Sequence, residues 1–571
     1  MAQIFIIGRS NEAIAVDAGY SIIELPLIST DEEIHDFVEK AIKDHPADIL
    51  IIPLVPGETF FRLKVALHIR LTESLYEKRL IPILFTSNDR FAKIHKEAGA
   101  LGNLLSTPGC VFQQYEKALV DRVATLLQPL SVDHYKSQFL NSVIIHPDET
   151  SGKHSLANQW GAISLSRAAN LTVEISDPQL SKSNKQLYFK YISALNDNFS
   201  KIRVKSLRVL GHISVDPPDK IQAAGKRILL IDDEAEKGWS SVLRKIFKTS
   251  AANDFQVINE KIKDIADLTA ASKKIIDSNN FDLYLIDLRL GGLDEENMVS
   301  PDGFSGAKLL KYIKSLNEGN QVIIFTASNK AWNMKSLLDM GANGYYIKES
   351  PEYNFPASFS KENYQNFKNE VKQCFELGFL KNIVTLHESI IAHIDQRYQT
   401  VSDSYQQFYD RCIVSLAICL DLLKKTASNR KYFNLAYLTY YQLLEDFVAQ
   451  RENLEKIGRS EWYVDNGQYQ VIVDCITYHS WELMYHQDSN NGDYFTKQQN
   501  NNVFSNQTLG TLAKVSFVLA FQFGKNDSDL KSWGKINQIR NQKAGHGNST
   551  HFVTLPELNA LLALVELFLK K

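Results

Sequence analysis

R-I-L-L-I-D-D-E, at residues 227–234, decides the fold of the central part of the chain. It is a short apolar run that ends in two acidic residues, Asp232 and Asp233. Three further apolar runs follow it, at 281–290, 321–328 and 343–350. Helix-like segments separate these runs, and apolar stretches of this length predict a parallel sheet that is covered on both faces.

Each run also delivers polar residues near its carboxyl end. The second run leads to Asp287, the third ends at Thr326, and the fourth carries Tyr345 and Lys348. The carboxyl ends of parallel strands meet at one edge of a sheet, and the functional crevice lies there. We therefore expect these side chains to converge on one pocket.

The residue types predict the chemistry of that pocket. Three carboxylates packed together repel one another unless a hard divalent cation lies among them, and oxygen ligands suit Mg²⁺. Asp232, Asp233 and Asp287 are therefore the predicted metal ligands. Asp287 can then attack a phosphoryl group, while Lys348 and Thr326 compensate the charge on the transferred oxygens.

Residues 226–350 resemble the receiver domain of response regulators. The resemblance implies a flavodoxin-like α/β fold, a sensor histidine kinase as partner, Asp287 as the phosphorylation site, and Thr326, Tyr345 and Lys348 as switch residues. Two departures are Glu349, where that family usually has proline, and a long segment after Asp287 with the acidic residues Asp294, Glu295 and Glu296. The alternative is a receiver fold kept as a scaffold without phosphorylation.

Residues 1–130 repeat the order and spacing of the apolar runs but not their chemistry. Gly8 and Arg9 stand in place of the acidic pair, Pro53 replaces the acceptor aspartate, and Thr86 alone is kept. A duplicated fold without a metal site is predicted, a degenerate receiver-like domain that binds a partner or packs on its sibling. A nucleotide-binding domain is the weaker alternative, since no G-x-G-x-x-G follows the first strand.

Residues 131–224 form a connecting insert for which the sequence predicts no fold. Runs at 142–147 and 202–213 are typical of strands, whereas 153–169 has helical spacing. D-P-P-D at 216–219 marks the entry to the receiver domain, which we place at 225–355.

Residues 356–571 are predicted to form an all-α domain. Helices are expected at 361–376, 378–398, 403–426, 431–455, 467–486, 508–523, 528–543 and 555–570. Thr554 and Glu557 form a capping box before the last helix, and the Asn-rich segment 489–506 is predicted to be a loop.

W-G-K-I-N-Q-I-R-N-Q-K-A-G-H-G-N at 533–548 carries Arg540 and, after five intervening residues, His546. This arrangement at the end of a penultimate helix is similar to HEPN ribonucleases. The similarity implies RNA cleavage without a metal or other cofactor, with His546 moving protons, Arg540 stabilising negative charge and Asn541 orienting the phosphate or the arginine. It also implies a homodimer. A helix-capping turn in a non-catalytic dimerisation domain is the alternative.

Composition argues against DNA binding, a cysteine metal site and a membrane span. The chain has 63 Lys and Arg against 66 Asp and Glu, which gives no overall basic surface for DNA. Its five cysteines lack metal-ligand spacing, and the longest apolar stretch is interrupted by Asp421. We therefore expect a cytoplasmic protein that does not enter a membrane.

Together these features predict a response regulator in which phosphorylation of Asp287 controls a HEPN-like ribonuclease, with phage defence as a setting implied by resemblance. The alternative is a non-catalytic two-component adaptor whose helical domain only dimerises. The sequence leaves open whether the phosphate activates or restrains the helical domain, and which RNA is cut.

Overall fold

The computed structural model describes residues 3–10, 12, 20–147, 153–171, 177–196, 217–291, 301–327, 331–353, 355–450, 462–465, 468–471, 481–486, 488, 490, 492–499, 511–545 and 551–570. The chain divides into two compact units. Unit 1 comprises Met1–Tyr312 and Val322–Val371, and unit 2 comprises Ile313–Gln321 and Lys372–Lys571.

A parallel sheet forms the first module of unit 1. Its strands are β1 (Ile4–Gly8), β2 (Ser21–Glu24), β3 (Ile49–Pro53), β4 (Ile83–Ser87) and β5 (Cys110–Gln114). They lie in the order β2-β1-β3-β4-β5, and every pairing is parallel. This is the strand order of flavodoxin-like sheets, so the α/β fold predicted for the first domain is confirmed.

Both faces of this sheet are buried because apolar residues occupy successive positions along each strand. Ile6, Ile51 and Leu84 belong to a small apolar cluster, whereas Ile7 and Leu50 belong to a larger one. Successive side chains of a strand point to opposite faces, so the two clusters lie on opposite sides of the sheet. The helices of this module are α1 (Asp31–Ile42), α2 (Thr59–Leu71), α3 (Phe91–Ala98) and α4 (Lys117–Leu126).

The connecting insert is helical where it is described. A helical segment at 132–142 is followed by α5 (Lys153–Ala168), α6 (Pro178–Lys185) and α7 (Leu187–Asn196). The helix predicted at 153–169 is confirmed, but the strand predicted at 142–147 is wrong. Val143 and Ile145 are instead buried in the core of the first module as irregular chain, which explains their strand-like alternation. The run at 202–213 lies outside the described residues.

A second parallel sheet repeats the first. Its strands are β7 (Ile228–Ile231), β9 (Phe255–Ile258), β10 (Leu283–Asp287), β11 (Val322–Thr326) and β12 (Gly344–Ile347). Their order, β9-β7-β10-β11-β12, corresponds to that of the first sheet. A short parallel pair is formed by β6 (Ile221–Ala223) and β8 (Phe247–Thr249).

Helices cover the second sheet on the side where Phe325 and Tyr346 are fully buried. The helices of this module are α8 (Trp239–Ile246), α9 (Ala270–Asp277), α10 (Ser305–Leu316), α11 (Ala331–Asp339) and the first part of α12 (Ala357–Glu376). Trp239 on α8 and Phe367 on α12 make edge-to-face ring contacts with Phe325 and Tyr346. Such contacts, together with the burial of the rings, fix these helices on the sheet.

Unit 2 contains the remaining helices around its own apolar core. They are α13 (Leu380–Arg397), α14 (Asp403–Lys424), α15 (Lys431–Ala449), α16 (Thr511–Phe517), α17 (Asp527–Ile539) and α18 (Leu555–Leu569). Trp533 on α17 stacks on Tyr441 of α15 at a centroid distance of 5.4 Å. Helix α18 begins with the predicted capping box of Thr554 and Glu557.

The prediction of an all-α domain is wrong for one region of unit 2. Strands β13 (Trp462–Asp465) and β14 (Gln468–Val471) form one antiparallel pair, and β15 (Trp481–His486) and β16 (Tyr494–Gln499) form another. They replace the helix predicted at 467–486 and part of the loop predicted at 489–506. Aromatic and β-branched residues are frequent in these segments and favour strands over helices.

No helix within the described ranges is long and apolar enough to cross a membrane.

Gly306 keeps α10 close to the strand that carries Asp287. A Cβ atom at Gly306 would lie 2.1 Å from the backbone oxygen of Asp287 and 2.7 Å from the Cα of Leu288. Gly306→Ala should therefore lower the free energy of unfolding by about 1–3 kcal/mol, the usual cost of overpacking. Urea denaturation measures this change, with Lys311→Ala on the same helix as the exposed control. Equal stability of the two variants would contradict the packing described here.

Candidate functional site: the carboxyl edge of the second sheet

The parallel strands of the second sheet bring the predicted pocket residues to one edge. Asp232 and Asp233 follow β7, while Asp287 and Thr326 are the last residues of β10 and β11. Lys348 follows β12. All of them are buried, with exposed fractions between 0% for Asp232 and 8% for Asp233. The predicted convergence is therefore present in the structure for Asp232, Asp233, Asp287 and Lys348.

Three carboxylates in this pocket could hold a cation. One ligand oxygen from each of Asp232, Asp233 and Asp287 lies within 4.8 Å of the others. The Oδ1 atom of Asp233 is buried and has no hydrogen-bond partner among the described residues. Burial, together with the charges of Asp287 and Asp232, raises the pKa of Asp233 to about 7. An unpartnered oxygen beside two other carboxylates fits the oxygen ligands that Mg²⁺ prefers.

Lys348 bridges two of these carboxylates. Its Nζ atom donates to Asp232 Oδ2 at 2.9 Å and to Asp287 Oδ2 at 2.7 Å. Burial alone would lower the pKa of Lys348, but the two carboxylates outweigh it and raise this pKa above its ordinary value. The ammonium therefore stays charged. A metal cation could then bind on the side of the pocket where Asp233 lies.

Two of the three predicted switch residues, Thr326 and Tyr345, differ in position. Thr326 is 2% exposed at the end of β11, and its backbone oxygen accepts a hydrogen bond from the Lys348 amide at 2.7 Å. Tyr345 is half-buried on β12, and its amide donates to Glu370 Oε2 at 2.9 Å. Its neighbour Tyr346 is the fully buried aromatic residue of this strand. Thr326 thus borders the pocket, while Tyr345 lies on the opposite face of the strand from Tyr346.

Glu349, the residue that replaces the usual proline, is 1% exposed. Its Oε2 atom accepts a hydrogen bond from Ser360 of α12 at 2.8 Å. Burial raises the pKa of Glu349 to about 7. The carboxyl group therefore ties the segment after Lys348 to α12. The acidic residues Asp294, Glu295 and Glu296 lie outside the described residues.

Asn158 on α5 is a pocket residue that sequence reasoning missed. It is 1% exposed, and its Oδ1 atom accepts a hydrogen bond from Lys348 Nζ at 2.6 Å. The helical spacing of 153–169 predicted the helix but gave no signal for the surface against which it packs. Only the tertiary structure brings the insert to this edge.

The corresponding edge of the first sheet holds arginines that are paired with glutamates. Arg62 of α2 is fully buried and donates to Pro53 O at 2.9 Å, to Glu12 and to Glu58. Arg9 also pairs with Glu58, at 2.7 Å. A guanidinium group with its own partners therefore occupies the edge at which the second sheet gathers carboxylates.

In unit 2 the structure describes part of the predicted ribonuclease motif. Arg540 and Asn541 lie in a π-helical turn that follows α17, and Arg540 Nη1 donates to Asn541 Oδ1 at 3.0 Å. The guanidinium carbon of Arg540 lies 5.4 Å from the centre of the Tyr441 ring, and its Nε atom has no partner within the described ranges. His546 lies outside the described residues.

The chain on both sides of His546 is held by one side chain. Asn434 of α15 donates through Nδ2 to Lys543 O at 3.0 Å and accepts from the Val553 amide at 2.8 Å. It thereby ties residue 543 to residue 553 across the segment that contains His546.

Comparison with known proteins concerns the first module. Residues 1–113 match the family model of the inactive receiver domain. This range covers nearly all of the β1–β5 sheet and confirms the prediction of a degenerate receiver-like domain at the start of the chain. No curated protein matches the chain.

The carboxylate pocket predicts a stabilising effect of Mg²⁺. At one hundred times its Kd, a bound ion stabilises the folded state by about 2.7 kcal/mol, so we expect Mg²⁺ to raise the thermal unfolding temperature of the wild-type chain. Asp233→Asn removes one buried charge from the cluster. It should raise the unfolding temperature without Mg²⁺ and abolish the rise that Mg²⁺ causes.

Differential scanning calorimetry with and without Mg²⁺ measures both effects, with the exposed Asp339→Asn as the control. An equal Mg²⁺ shift in wild type and Asp233→Asn would contradict the assignment of Asp233 as a ligand.

Proposed function

We propose that the chain is a response regulator that accepts a phosphoryl group on Asp287. The match of residues 1–113 to the inactive receiver family is consistent with two-component signalling. The observation that supports a working acceptor most directly is the position of Lys348, whose ammonium contacts both Asp232 and Asp287. A sensor histidine kinase would be the donor.

The transfer itself needs only one nucleophile. A carboxylate oxygen of Asp287 forms a bond to phosphorus while the phosphorus–nitrogen bond of a phosphohistidine breaks, and the imidazole leaves with that electron pair. The Lys348 ammonium and the Thr326 hydroxyl then stabilise the negative charge of the transferred oxygens. When held by Asp232, Asp233 and Asp287, Mg²⁺ adds positive charge at the same place.

The new phosphate would act as a switch through local electrostatics. Thr326 lies at the edge of the pocket and would turn towards the added charge, and Tyr345 would respond on the neighbouring strand. Such a change alters the surface of the second module that a second copy of the chain or another domain contacts. The proposal requires no change in the fold of the sheet.

We further propose that the output is RNA cleavage by unit 2. His546 would take the proton from a ribose 2′-hydroxyl as its oxygen bonds to phosphorus, and would return a proton to the departing 5′-oxygen. Arg540, whose Nε atom lacks a partner in the described part of the chain, would stabilise the added negative charge, and Asn541 would position Arg540 or the phosphate. By resemblance, two copies of the motif would meet in a homodimer.

The second candidate function is a non-catalytic signalling adaptor. The edge of the first sheet favours it, because Arg62 and its acidic partners satisfy one another there and offer no phosphoacceptor. Such a module acts by contact with a partner. In this case unit 2 would only hold two copies together.

Phosphorylation is tested with acetyl phosphate and Mg²⁺ on the full chain. We expect one phosphoryl group per wild-type chain and none on Asp287→Asn, because the amide is a poor nucleophile. Intact-mass spectrometry measures the added mass, with Asp339→Asn as the matched control. Labelling of Asp287→Asn at the wild-type level would exclude Asp287 as the acceptor.

Ribonuclease activity is tested on total RNA with the wild-type chain, with and without Mg²⁺ and BeF₃⁻. We expect His546→Ala and Arg540→Ala each to slow cleavage by about a hundredfold or more, the range for loss of a proton-transfer or charge-stabilising group. Arg411→Ala, at an exposed position of α14, is the control. Absence of cleavage under both conditions would favour the adaptor.

A further inference from the structure

We propose that α5 of the connecting insert is a plug on the phosphoacceptor pocket, and that its docking competes with phosphorylation of Asp287. The inference rests on the proposed function, because it assigns the element that controls access to that same aspartate. The contact between Asn158 of α5 and Lys348 carries it.

One buried amide of the plug bonds to three residues of the second module. Asn158 Oδ1 accepts from Lys348 Nζ at 2.6 Å and from Trp239 Nε1 at 3.1 Å. Its Nδ2 atom donates to Glu234 Oε2 at 2.8 Å. All three partners belong to the second module, since Glu234 follows β7, Trp239 lies on α8 and Lys348 follows β12. One side chain of the insert therefore joins the elements that surround Asp287.

The backbone of α5 approaches the pocket as closely as a glycine permits. A Cβ atom at Gly161 would lie 2.8 Å from Cζ2 of Trp239 and 3.6 Å from the amide nitrogen of Glu349. A Cβ atom at Gly238, just before α8, would lie 3.2 Å from the Cβ of Ala162. Helix α6 of the insert takes part as well, since Ser241 donates to Asp177 at its start. This is a packed interface and not a single bridging contact.

Competition follows from the number of protons on Lys348. An ammonium has three donors, and Asp232, Asp287 and Asn158 accept them at 2.6–2.9 Å. A phosphoryl oxygen on Asp287 needs one of these donors. The neutral amide of Asn158 is the weakest of the three acceptors, so it is the one to be displaced.

Displacement of Asn158 also weakens the rest of the plug. The indole of Trp239 and the carboxylate of Glu234 would lose their partner if the amide moved away from Lys348, and buried polar groups without partners are unfavourable. Coupling between two binding equilibria is reciprocal, so if docking of the plug disfavours a phosphoryl group on Asp287, that phosphoryl group disfavours docking of the plug by the same free energy. Phosphorylation would thus release the insert from the pocket as well as change the surface of the second module.

The test compares phosphorylation rates of full-length variants with acetyl [³²P]phosphate and Mg²⁺. Asn158→Ala should be labelled about tenfold faster than wild type, the factor that corresponds to one hydrogen bond with a charged group. Gly161→Ala, which pushes the helix away from Trp239 without removing a polar group, should also be labelled faster. Gln159→Ala is the matched control, because this neighbouring amide is equally buried but bonds to Ser183 and Ser155 within the insert.

Hydrogen exchange provides a second readout that does not depend on a substitution. Addition of Mg²⁺ and BeF₃⁻ to the wild-type chain should speed amide exchange in residues 153–168, and Asp287→Asn should not respond. Circular dichroism identifies any variant that fails to fold.

The outcomes separate the two proposals. The plug proposal is wrong if Asn158→Ala and Gly161→Ala are labelled at the wild-type rate while Asp287→Asn is not labelled. It is also wrong if BeF₃⁻ binds but leaves amide exchange in residues 153–168 unchanged. In both cases the proposal of Asp287 as the phosphoacceptor stands. If no chain takes up label and BeF₃⁻ does not bind, the proposed acceptor is wrong and the plug with it.

Discussion

The ammonium of Lys348, held at 2.7–2.9 Å between the carboxylates of Asp287 and Asp232, is the interaction on which the second module depends. Two buried carboxylates side by side repel one another unless a positive charge lies between them. The lysine supplies that charge, and it does so from a different strand of the sheet. Parallel pairing of β7, β10, β11 and β12 is therefore what makes the pocket chemically possible.

The two sheets show how one fold can carry different arrangements of charge. Both have the same strand order, yet the first gathers Arg62 and its glutamate partners at the edge where the second gathers aspartates. In the first module Arg62 and Arg9 pair with Glu58 at this edge, and such an arrangement suits a surface for contacts. In the second, Asp233 retains an oxygen without a partner, which suits a site for a cation and a reaction.

The sequence predicted this architecture best where a local pattern decides the structure. Continuous apolar runs placed β7, β10, β11 and β12 of the second sheet and β1, β3 and β4 of the first, because a strand covered on both faces needs such a run. Strands β2, β5 and β9 were not predicted. The acidic and basic residues at the strand ends then followed from the geometry of parallel sheets. The capping box at Thr554 was likewise predictable, since its two residues contact each other over one turn.

Prediction failed where distant segments decide the outcome. Val143 and Ile145 alternate like a strand, but they are buried as irregular chain against the first module. The segments around Gln468 and Trp481 were interpreted as a helix, whereas their pairing partners make them strands. Asn158 and Arg62 carry no motif, and their roles depend on which surface their helices meet. Contacts of this kind are set by the tertiary fold and not by sequence spacing.

The central claim is that Lys348 and the surrounding carboxylates form one binding site for a phosphoryl group. Fluorine NMR of BeF₃⁻, added with Mg²⁺ to the full chain, tests it most directly because a bound fluoride gives a signal distinct from that of free fluoride. We expect a bound signal for the wild-type chain that disappears in Lys348→Met. No bound signal in the wild type, or an unchanged one in Lys348→Met, would contradict the claim.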